Sequence, residues 1–413
     1  MNWRELFKSR RLAMMLPLGF ASGLPLALSG GTLQAWLAVD GVDISTIGLF
    51  SMVGLPYTLK FAWSPLMDRF CPPILGRRRG WMVVTQILLA AVMTAMAFAN
   101  PARAPFFMAL LAFSLAALSA SQDIVFDAYR TDILEEHERG LGAGLTVTGY
   151  RIAMILSGAV ALVLADHMGW HSTYLFMAAV MACTVIVTIF SPDAGESCAN
   201  TPASIAEAVT GPLKQFFSRH GAWAFLAMII LYKLGDAFAG TLTTAFLIRG
   251  PGFSPTDVGT INKGFGLVAT LAGALAGGSF MARLSLYRSL MLFGILQAVS
   301  NLSFMMVALL GKSYPAMIFA VGFENLSGGM GTAAFVAFLM ALCDRRYSAT
   351  QYALLSAMAS MGRVFVGPPS GFLAEATGWP VFFLITTFAA IPGLVLLFFM
   401  RNRVNALSVR SAG

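Results

Sequence analysis

The sequence predicts an all-α membrane protein with twelve transmembrane helices, arranged as two pseudo-symmetric six-helix bundles. Three observations lead to this fold class. Hydrophobic residues make up 58% of the 413 residues and charged residues only 11%, and the mean hydropathy is +0.76. Twelve apolar runs are long enough to cross a bilayer. The longest connector between them, at 192–221, leaves six runs on each side.

The composition excludes a water-soluble fold. Soluble domains carry about a quarter charged residues, so 11% is too few to cover a surface that faces water. The net charge of +8 and the pI of about 9.5 do not indicate nucleic-acid binding. The basic residues lie in short loops between apolar runs, where Lys and Arg set the orientation of a membrane protein.

Each predicted span meets the requirement of roughly 20 mostly apolar residues. The first run begins near the N-terminus and is too long for a cleaved signal peptide, so we expect it to be retained. The runs do not alternate with period two, which excludes transmembrane strands. The predicted spans cover residues 12–37, 46–66, 81–99, 105–129, 140–165, 170–191, 222–248, 255–282, 286–310, 314–342, 348–374 and 379–400.

The distribution of Lys and Arg predicts that both termini are cytoplasmic. Nineteen of these residues lie in the tails and connectors of one side, and three lie on the other side: Arg103, Arg249 and Lys312. The side with the excess is cytoplasmic by the positive-inside rule. An even number of spans also places both ends on one side.

The connector at 192–221 predicts three parts: an N-terminal bundle at 1–191, a cytoplasmic linker at 192–221 and a C-terminal bundle at 222–413. Its stretch 203–218 is typical of an amphipathic surface helix. The two halves also resemble each other weakly. The fifth span carries Gly149-Tyr150-Arg151, and the eleventh carries Met361-Gly362-Arg363. Such internal repetition is typical of two bundles around a central cavity.

Ionisable residues inside the spans are the strongest functional signal. Each costs a few kcal/mol or more in lipid, so by default it faces the protein interior. We expect a polar cavity in which a carboxylate carries a proton, with Asp123, Asp127, Asp236 and Glu324 as the candidates. The alternative is that some of these residues only join helices. The full set is Lys60, Asp123, Asp127, Arg151, Lys233, Asp236, Lys263, Glu324 and Arg363.

Positions along neighbouring spans predict specific pairs. Equal distances from the turns between spans predict ion pairs of Asp123 with Arg151 and of Glu324 with Arg363. Lys233 and Asp236 are three residues apart and share one helix face.

Polar residues in the spans accompany these charges and are candidates for solute binding. Their hydroxyl, amide and charged groups suit a polar solute, although hydrogen bonds between helices are a common alternative. Small residues at Gly19/Gly23, Gly140/Gly144, Gly273/Gly277 and Gly367/Gly371 predict closely packed helices. The candidates for solute binding are Gln34, Gln122, Tyr150, Arg151, Lys233, Asn262, Lys263, Asn325 and Arg363.

Motifs for other chemistry are absent from the sequence. Gly311-Lys312-Ser313 lacks the leading glycine of a Walker A motif, since position 306 is Met, so ATP-driven transport within this chain is not expected. His167 and His171 are four residues apart, a spacing that could bind a metal, but two histidines without a third ligand are a weak signal. There is no G-x-S-x-G and no H-E-x-x-H. We therefore predict neither an enzyme, a cofactor nor a metal.

The loop after the second span contains Asp68-Arg69 followed by Gly76-Arg77-Arg78. This resembles the loop motif between the second and third helices of the major facilitator superfamily, with a longer spacing. Asp68 and Arg69, with Arg77 and Arg78, are therefore candidates for a conformational loop motif. A carboxylate there is also favoured near a helix N-terminus.

Longer stretches resemble the AmpG-type muropeptide permeases, and the likeness covers residues 12–400. The most specific is Ser119-Ala120-Ser121-Gln122-Asp123-Ile124-Val125-Phe126-Asp127-Ala128. The other stretches that resemble this family are residues 19–26 and 33–36, residues 60–69 and 76–81, residues 231–238, and residues 323–326.

The resemblance implies proton-coupled import of N-acetylglucosaminyl-1,6-anhydro-N-acetylmuramyl peptides across the bacterial inner membrane, for peptidoglycan recycling. It also implies an influence on β-lactamase induction in some bacteria. The expected partners are this small solute, protons and the lipid bilayer, with no nucleic acid, and we expect a monomer. The alternative is a proton symporter of another polar solute, such as a short peptide or a sugar. A membrane sensor would need a cytoplasmic output domain, and an intramembrane enzyme would need a catalytic constellation; the sequence offers neither.

Overall fold

The computed structural model describes residues 9–64, 67, 70–73, 75–135, 138–193, 221–342 and 348–410. Side chains are described for these residues except 61, 139–141, 348–354, 361, 363 and 408–410. Every regular element in these ranges is a helix. The predicted surface helix at 203–218 lies outside the described residues.

The helices are numbered in chain order. Up to residue 193 they are α1 (Arg10–Ser29), α2 (Gly31–Val39), α3 (Ile44–Leu49), α4 (Leu55–Leu59), α5 (Gly76–Phe98), α6 (Pro105–Ile133), α7 (Arg139–Met154) and α8 (Ala161–Phe190). From residue 221 they are α9 (Ala222–Tyr232), α10 (Leu234–Arg249), α11 (Pro255–Asp257), α12 (Gly266–Met281), α13 (Leu286–Leu310), α14 (Tyr314–Leu342), α15 (Ser348–Thr377), α16 (Trp379–Ala389), α17 (Ile391–Phe399) and α18 (Arg401–Arg410). Short 3₁₀ helices lie at Phe50–Gly54 and Lys60–Ala62, and π-helices at Ile155–Val160 and Val258–Phe265.

Nine helical segments within the described residues are long and apolar enough to cross a membrane. One of them, Gly142–Phe190, has 49 residues and bends at Gly169, where φ is 81°. A helix of that length would be about 70 Å long, more than twice the hydrocarbon thickness of a bilayer. It therefore covers the fifth and sixth predicted spans. The shorter apolar segment Ile44–Leu59 and α15 fall on the second and eleventh.

The predicted all-α membrane fold is confirmed, and the helix bounds are consistent with twelve spans. Large apolar side chains lie exposed on the outside of the helices. Phe106 is 84%, Phe399 77% and Leu275 76% exposed. Exposed apolar side chains are unfavourable in water and favourable in lipid, because removing apolar surface from water lowers the free energy.

The internal contacts divide the chain into two compact units. Unit 1 comprises Met1–Val42 and Val53–Ala203, and unit 2 comprises Asp43–Met52 and Ser204–Gly413. In unit 1, α1 packs on α7 and α5 on α8. In unit 2, α14 packs on both α12 and α13, and α3 packs on α15.

Small residues allow the closest of these helix pairs. A Cβ atom at Gly23 of α1 would lie 2.7 Å from the carbonyl oxygen of Tyr150 on α7. A Cβ atom at Gly273 of α12 would lie 2.1 Å from the carbonyl oxygen of Leu326 on α14. Both distances are shorter than van der Waals contact, so only glycine permits these approaches. The predicted close packing at Gly19/Gly23, Gly273/Gly277 and Gly367/Gly371 is confirmed. At Gly144 the prediction is wrong, because a Cβ atom there would meet no neighbouring helix within 4 Å.

Several spans are not continuous α-helices, which the sequence does not predict. The second span is divided by the two 3₁₀ helices, and Pro56 lies at the start of α4. The seventh span breaks at Lys233, where φ is −94° and ψ is 1°. The eighth contains the π-helix Val258–Phe265. Hydropathy reports how apolar a run is and carries no information about hydrogen-bond register. Mid-helix irregularities of this kind often mark functional sites.

Two helix starts are capped in similar ways in the two halves. The Asp43 carboxylate accepts hydrogen bonds from the Thr46 backbone amide at 2.8 Å and from the Ser45 hydroxyl at 2.7 Å. Ser254 and Asp257 form a reciprocal capping box at α11. Both caps satisfy backbone amides at a helix N-terminus that would otherwise lack partners.

Candidate functional site

A polar pocket of about 440 Å³ lies within unit 2. This volume is in the range of pockets that bind small molecules. The side chains that line it come from α10, α12 and α14, together with Lys233 between α9 and α10, and Ala359 on α15. Its polar lining residues are Lys233, Asp236, Thr241, Thr270, Glu324, Asn325 and Thr332.

Lys233 lies at the break between α9 and α10. Its Nζ is 3.4 Å from Asp236 Oδ2 and 3.4 Å from Thr332 Oγ1. The predicted pairing of Lys233 with Asp236 on one face is confirmed. Both distances are longer than the usual 2.7–3.2 Å of an N–H···O hydrogen bond, so the ammonium group is held loosely.

Glu324 and Asn325 of α14 also line the pocket. The Asn325 side-chain amide donates to Glu324 Oε2 at 2.7 Å and to the Val321 carbonyl at 2.9 Å. The Thr270 hydroxyl of α12 donates to Asn325 Oδ1 at 2.9 Å. The amide is thus fixed on both sides, and it orients the neighbouring carboxylate.

Lys263 lies beside Asn262 in the π-helix Val258–Phe265. Its Nζ donates to Thr244 Oγ1 of α10 at 2.9 Å. Lys263 also interacts electrostatically with Glu324. Glu324 has further electrostatic interactions with Asp236 and Lys233. The four charged side chains therefore form one interacting group in unit 2, with two positive and two negative members.

Unit 1 contains a second polar cluster, around Asp123 of α6. The Ser22 hydroxyl of α1 donates to Asp123 Oδ1 in a short hydrogen bond. Lys60, Asp127 and the hydroxyls of Tyr57 and Tyr150 lie close enough to interact with Asp123 electrostatically. Polar residues from four spans thus meet at this carboxylate. Buried ionisable groups need such partners because isolated burial of a charge is costly.

The predicted ion pair of Asp123 with Arg151 is not formed. Arg151 is exposed, and its Nη1 lies 3.8 Å from Met154 Sδ. Two residues at equal depth in neighbouring helices meet only if each helix is rotated so that both side chains face the shared interface. Depth along the chain does not determine this rotation. Asp127 is also exposed and pairs with Arg130 of the next turn at 3.2 Å.

The side chain of Arg363 lies outside the described residues, as do Asp68 and Arg69. The pairing of Glu324 with Arg363 therefore stays a prediction. The other two residues of the loop motif are at the start of α5. Arg77 is buried, with 6% exposure, and Arg78 Nε donates to Asp132 Oδ2 of α6 at 2.9 Å. Gln34 on α2 is half-buried and Gln122 on α6 is buried.

Sequence reasoning missed several hydroxyl residues of both clusters. They are Ser22 and Tyr57 in unit 1, and Thr244, Thr270 and Thr332 in unit 2. Hydroxyl residues are common in membrane helices and usually bond to backbone carbonyls. A polar or charged partner on a neighbouring helix distinguishes these residues, and identifying that partner requires the fold.

Comparison with known proteins places this geometry in a family. The model of the Major Facilitator Superfamily matches residues 15–248 and 234–413. The anhydromuropeptide permease of Escherichia coli K12 is 53% identical over 405 residues, which are 98% of this chain and 82% of that protein. A putative transporter, AmpG 4, of Rickettsia felis is 35% identical over 97% of this chain and 99% of its own length.

Solved structures share the fold at low sequence identity. A nucleoside transporter, NupG, superposes with a TM-score of 0.73 at 14% identity, over 94% of this chain and 98% of that one. A D-xylose–proton symporter gives a TM-score of 0.70 at 11% identity, over 94% of this chain and 96% of that one. These similarities show the fold alone. With the family match over nearly the whole length and a close relative at 53% identity, the chain belongs to the Major Facilitator Superfamily and, within it, to the AmpG-type permeases.

Proposed function

We propose that this multi-pass membrane protein imports anhydro-muropeptides, the N-acetylglucosaminyl-1,6-anhydro-N-acetylmuramyl peptides, for peptidoglycan recycling. The observation that carries the proposal is the 53% identity, over 98% of the chain, to a protein named anhydromuropeptide permease. The charged pocket in unit 2 supports it, because that pocket offers both donors and acceptors to a polar solute. Sugars and peptides present hydroxyl, amide and carboxylate groups that need such partners when water is removed.

The residues proposed to bind the solute include members of each unit. In unit 2, Lys233, Asn262, Lys263, Asn325 and Arg363 are the proposed solute-binding residues. In unit 1 they are Gln34, Gln122, Tyr150 and Arg151. The exposure of Arg151 supports this role, since an exposed guanidinium can reach a solute.

Proton coupling is proposed for the carboxylates, with Asp123, Asp236 and Glu324 ahead of Asp127. The first three lie among other charged or hydroxyl groups inside the helical units. A proton moving down the membrane potential releases about 2.3 kcal/mol per 100 mV, which is the driving force for uptake against a concentration gradient.

The orientation and assembly belong to the same proposal. We place the protein in the bacterial inner membrane as a monomer, with both termini in the cytoplasm. The two functional bundles are 1–191 and 222–413, joined by the linker 192–221. The loop residues Asp68, Arg69, Arg77 and Arg78 then lie on the cytoplasmic side and act in the change of conformation.

Uptake by membrane vesicles tests this function. Vesicles that contain the protein should accumulate labelled anhydro-muropeptide under an imposed proton gradient, and a protonophore should abolish the accumulation. Vesicles without the protein are the control. If a short peptide or a sugar is accumulated and unlabelled muropeptide does not compete, the chain is instead a symporter of another polar solute.

A further inference from the structure

Lys233 is the only cation among the described residues that line the pocket of unit 2. Its ammonium group contacts Asp236 and Thr332, and both contacts are long, at 3.4 Å. By contrast, Lys263 makes a hydrogen bond of 2.9 Å to Thr244 and does not line the pocket. Among the described side chains, Lys233 is therefore the cation that lines this pocket.

The backbone around Lys233 holds its ammonium group at the pocket. The residue caps the C-terminus of α9 and precedes α10, and its carbonyl accepts a hydrogen bond from the Ala237 amide at 2.9 Å. A helix C-terminus carries partial negative charge from its unpaired carbonyls, which favours a cation there.

Among the described side chains, the charges around the pocket are balanced: two acids and two bases interact there. Asp236 of α10 and Glu324 of α14 are the acids, and Lys233 and Lys263 are the bases that interact with them. The nearby Tyr232 hydroxyl is engaged with the Leu290 carbonyl at 2.8 Å. On α15, Ala359 lines the pocket, and the side chain of Arg363 lies outside the described residues.

An incoming carboxylate would upset this balance. In the low dielectric of the protein interior, an uncompensated charge is strongly unfavourable. A carboxylate can bind Lys233 at little cost only if one of the pocket acids becomes neutral. Asp236 is the acid that loses its partner, because it is the one paired with Lys233.

We propose that Lys233 binds a carboxylate of the transported solute in exchange for Asp236, and that Asp236 takes up a proton as it is displaced. This inference rests on the proposed import of muropeptides, whose peptide part carries carboxylates. The inference specifies that the solute carries a carboxylate. It also identifies Lys233 and Asp236 as the residues that couple solute binding to proton binding.

A competition experiment with matched solutes tests the carboxylate site. Proteoliposomes that contain the purified protein take up a labelled anhydro-muropeptide in the presence of an unlabelled competitor. One competitor is the muropeptide with free carboxylates, and the other is the same muropeptide with those carboxylates converted to methyl esters. The acid should compete at least about tenfold better than the ester in the parent, because it alone makes a charged hydrogen bond. Lys233→Gln should abolish this preference, and Lys233→Arg should keep it.

Lys312→Gln is the matched control for loss of one positive charge. Lys312 is exposed, lies over the rings of Phe253 and Tyr314, and does not line the pocket. It should keep the parent's preference. A Lys233→Gln protein that still prefers the acid would overturn the proposal, and so would a parent that does not distinguish acid from ester. A parent that is inhibited by neither solute contradicts the import of muropeptides itself, which separates the two failures.

The proton step is tested by binding, which does not require transport. Binding of the free acid to the purified parent should weaken about tenfold or more between pH 6 and pH 8.5, since each bound solute needs a proton on Asp236. Asp236→Asn imitates the neutral acid and leaves Lys233 available, so its binding should change less than about threefold over this range. An equal pH dependence in parent and Asp236→Asn would show that the proton binds elsewhere and would refute the linkage.

Discussion

Asp123 and Asp127 lie one turn apart on α6, and their surroundings separate them. Asp123 accepts a short hydrogen bond from Ser22 and has Lys60 nearby, whereas Asp127 is exposed and pairs with Arg130. The Asp123→Asn substitution should therefore lower the rate of proton-driven uptake tenfold or more. The Asp127→Asn substitution should lower it by a factor that is at least several-fold smaller. Vesicle uptake at equal amounts of inserted protein measures this. Equal losses would show that exposure does not distinguish the two residues.

Asp43 provides a residue-scale prediction about pH. Hydrogen bonds from the side chains of Thr46 and Ser45 lower the pKa of Asp43 to about 2. Because the pKa is lowered on folding, the cap stabilises the protein fully at pH values above the pKa of the unfolded state, about 3.9. This stabilisation is lost as the pH falls towards the pKa of the folded state. At pH 7, Asp43→Ala should cost about 1 kcal/mol, as is typical for loss of an N-cap.

The difference between parent and Asp43→Ala should shrink between pH 5 and pH 3. Asp43→Asn is the control, because its amide caps the helix without titrating. Thermal unfolding in detergent at several pH values measures both. A difference that stays constant down to pH 3 would mean that the carboxylate charge does not support the cap.

At the scale of helices, close packing depends on particular glycines. Gly273 of α12 faces the Leu326 carbonyl of α14, and Gly278 of the same helix is open to its surroundings. Gly273→Ala should destabilise the protein by about 1–3 kcal/mol through overpacking. Gly278→Ala should leave stability unchanged or raise it slightly, since alanine favours the helix. Melting temperatures of the two variants provide the comparison, and equal values would contradict the close contact.

Helix irregularities set the positions of the charged residues, and the sequence does not predict them. A continuous seventh span would place Lys233 on a regular helix surface, whereas the observed break puts it at a helix end. The π-helix at Val258–Phe265 similarly changes the register around Lys263. Amphipathic patterns predict that Lys233 and Asp236 share a face, because three residues nearly complete one turn. They do not predict the rotation that separates Arg151 from Asp123.

At the scale of the molecule, the sequence predicts the fold more completely than the site. Span length and apolarity are local properties, so windows of about 20 residues suffice to find the helices. The site depends on contacts between distant helices, such as Ser22 with Asp123 and Lys263 with Thr244. Single polar residues in a span do not reveal which neighbour they meet. The charged residues are predictable as candidates because their cost in lipid marks them individually.

The proposed topology makes a prediction for the whole chain. Single cysteines introduced at Lys312 and at Arg403, in a background without native cysteines, should differ in labelling of intact cells by a membrane-impermeant thiol reagent. The cysteine at 312 should react from the periplasm, and that at 403 should react only after the membrane is opened. The reverse pattern would contradict cytoplasmic termini, which rest on the excess of Lys and Arg on one side.

The most direct test of the account is proton movement driven by the solute itself. Purified protein is placed in proteoliposomes that contain a pH indicator, with no gradient imposed, and anhydro-muropeptide is added outside. If carboxylates within the helical units link the solute to a proton, the lumen should acidify as the solute enters. It should not acidify when a solute that does not compete for uptake is added instead. Entry of muropeptide without any change in luminal pH would contradict proton-coupled transport.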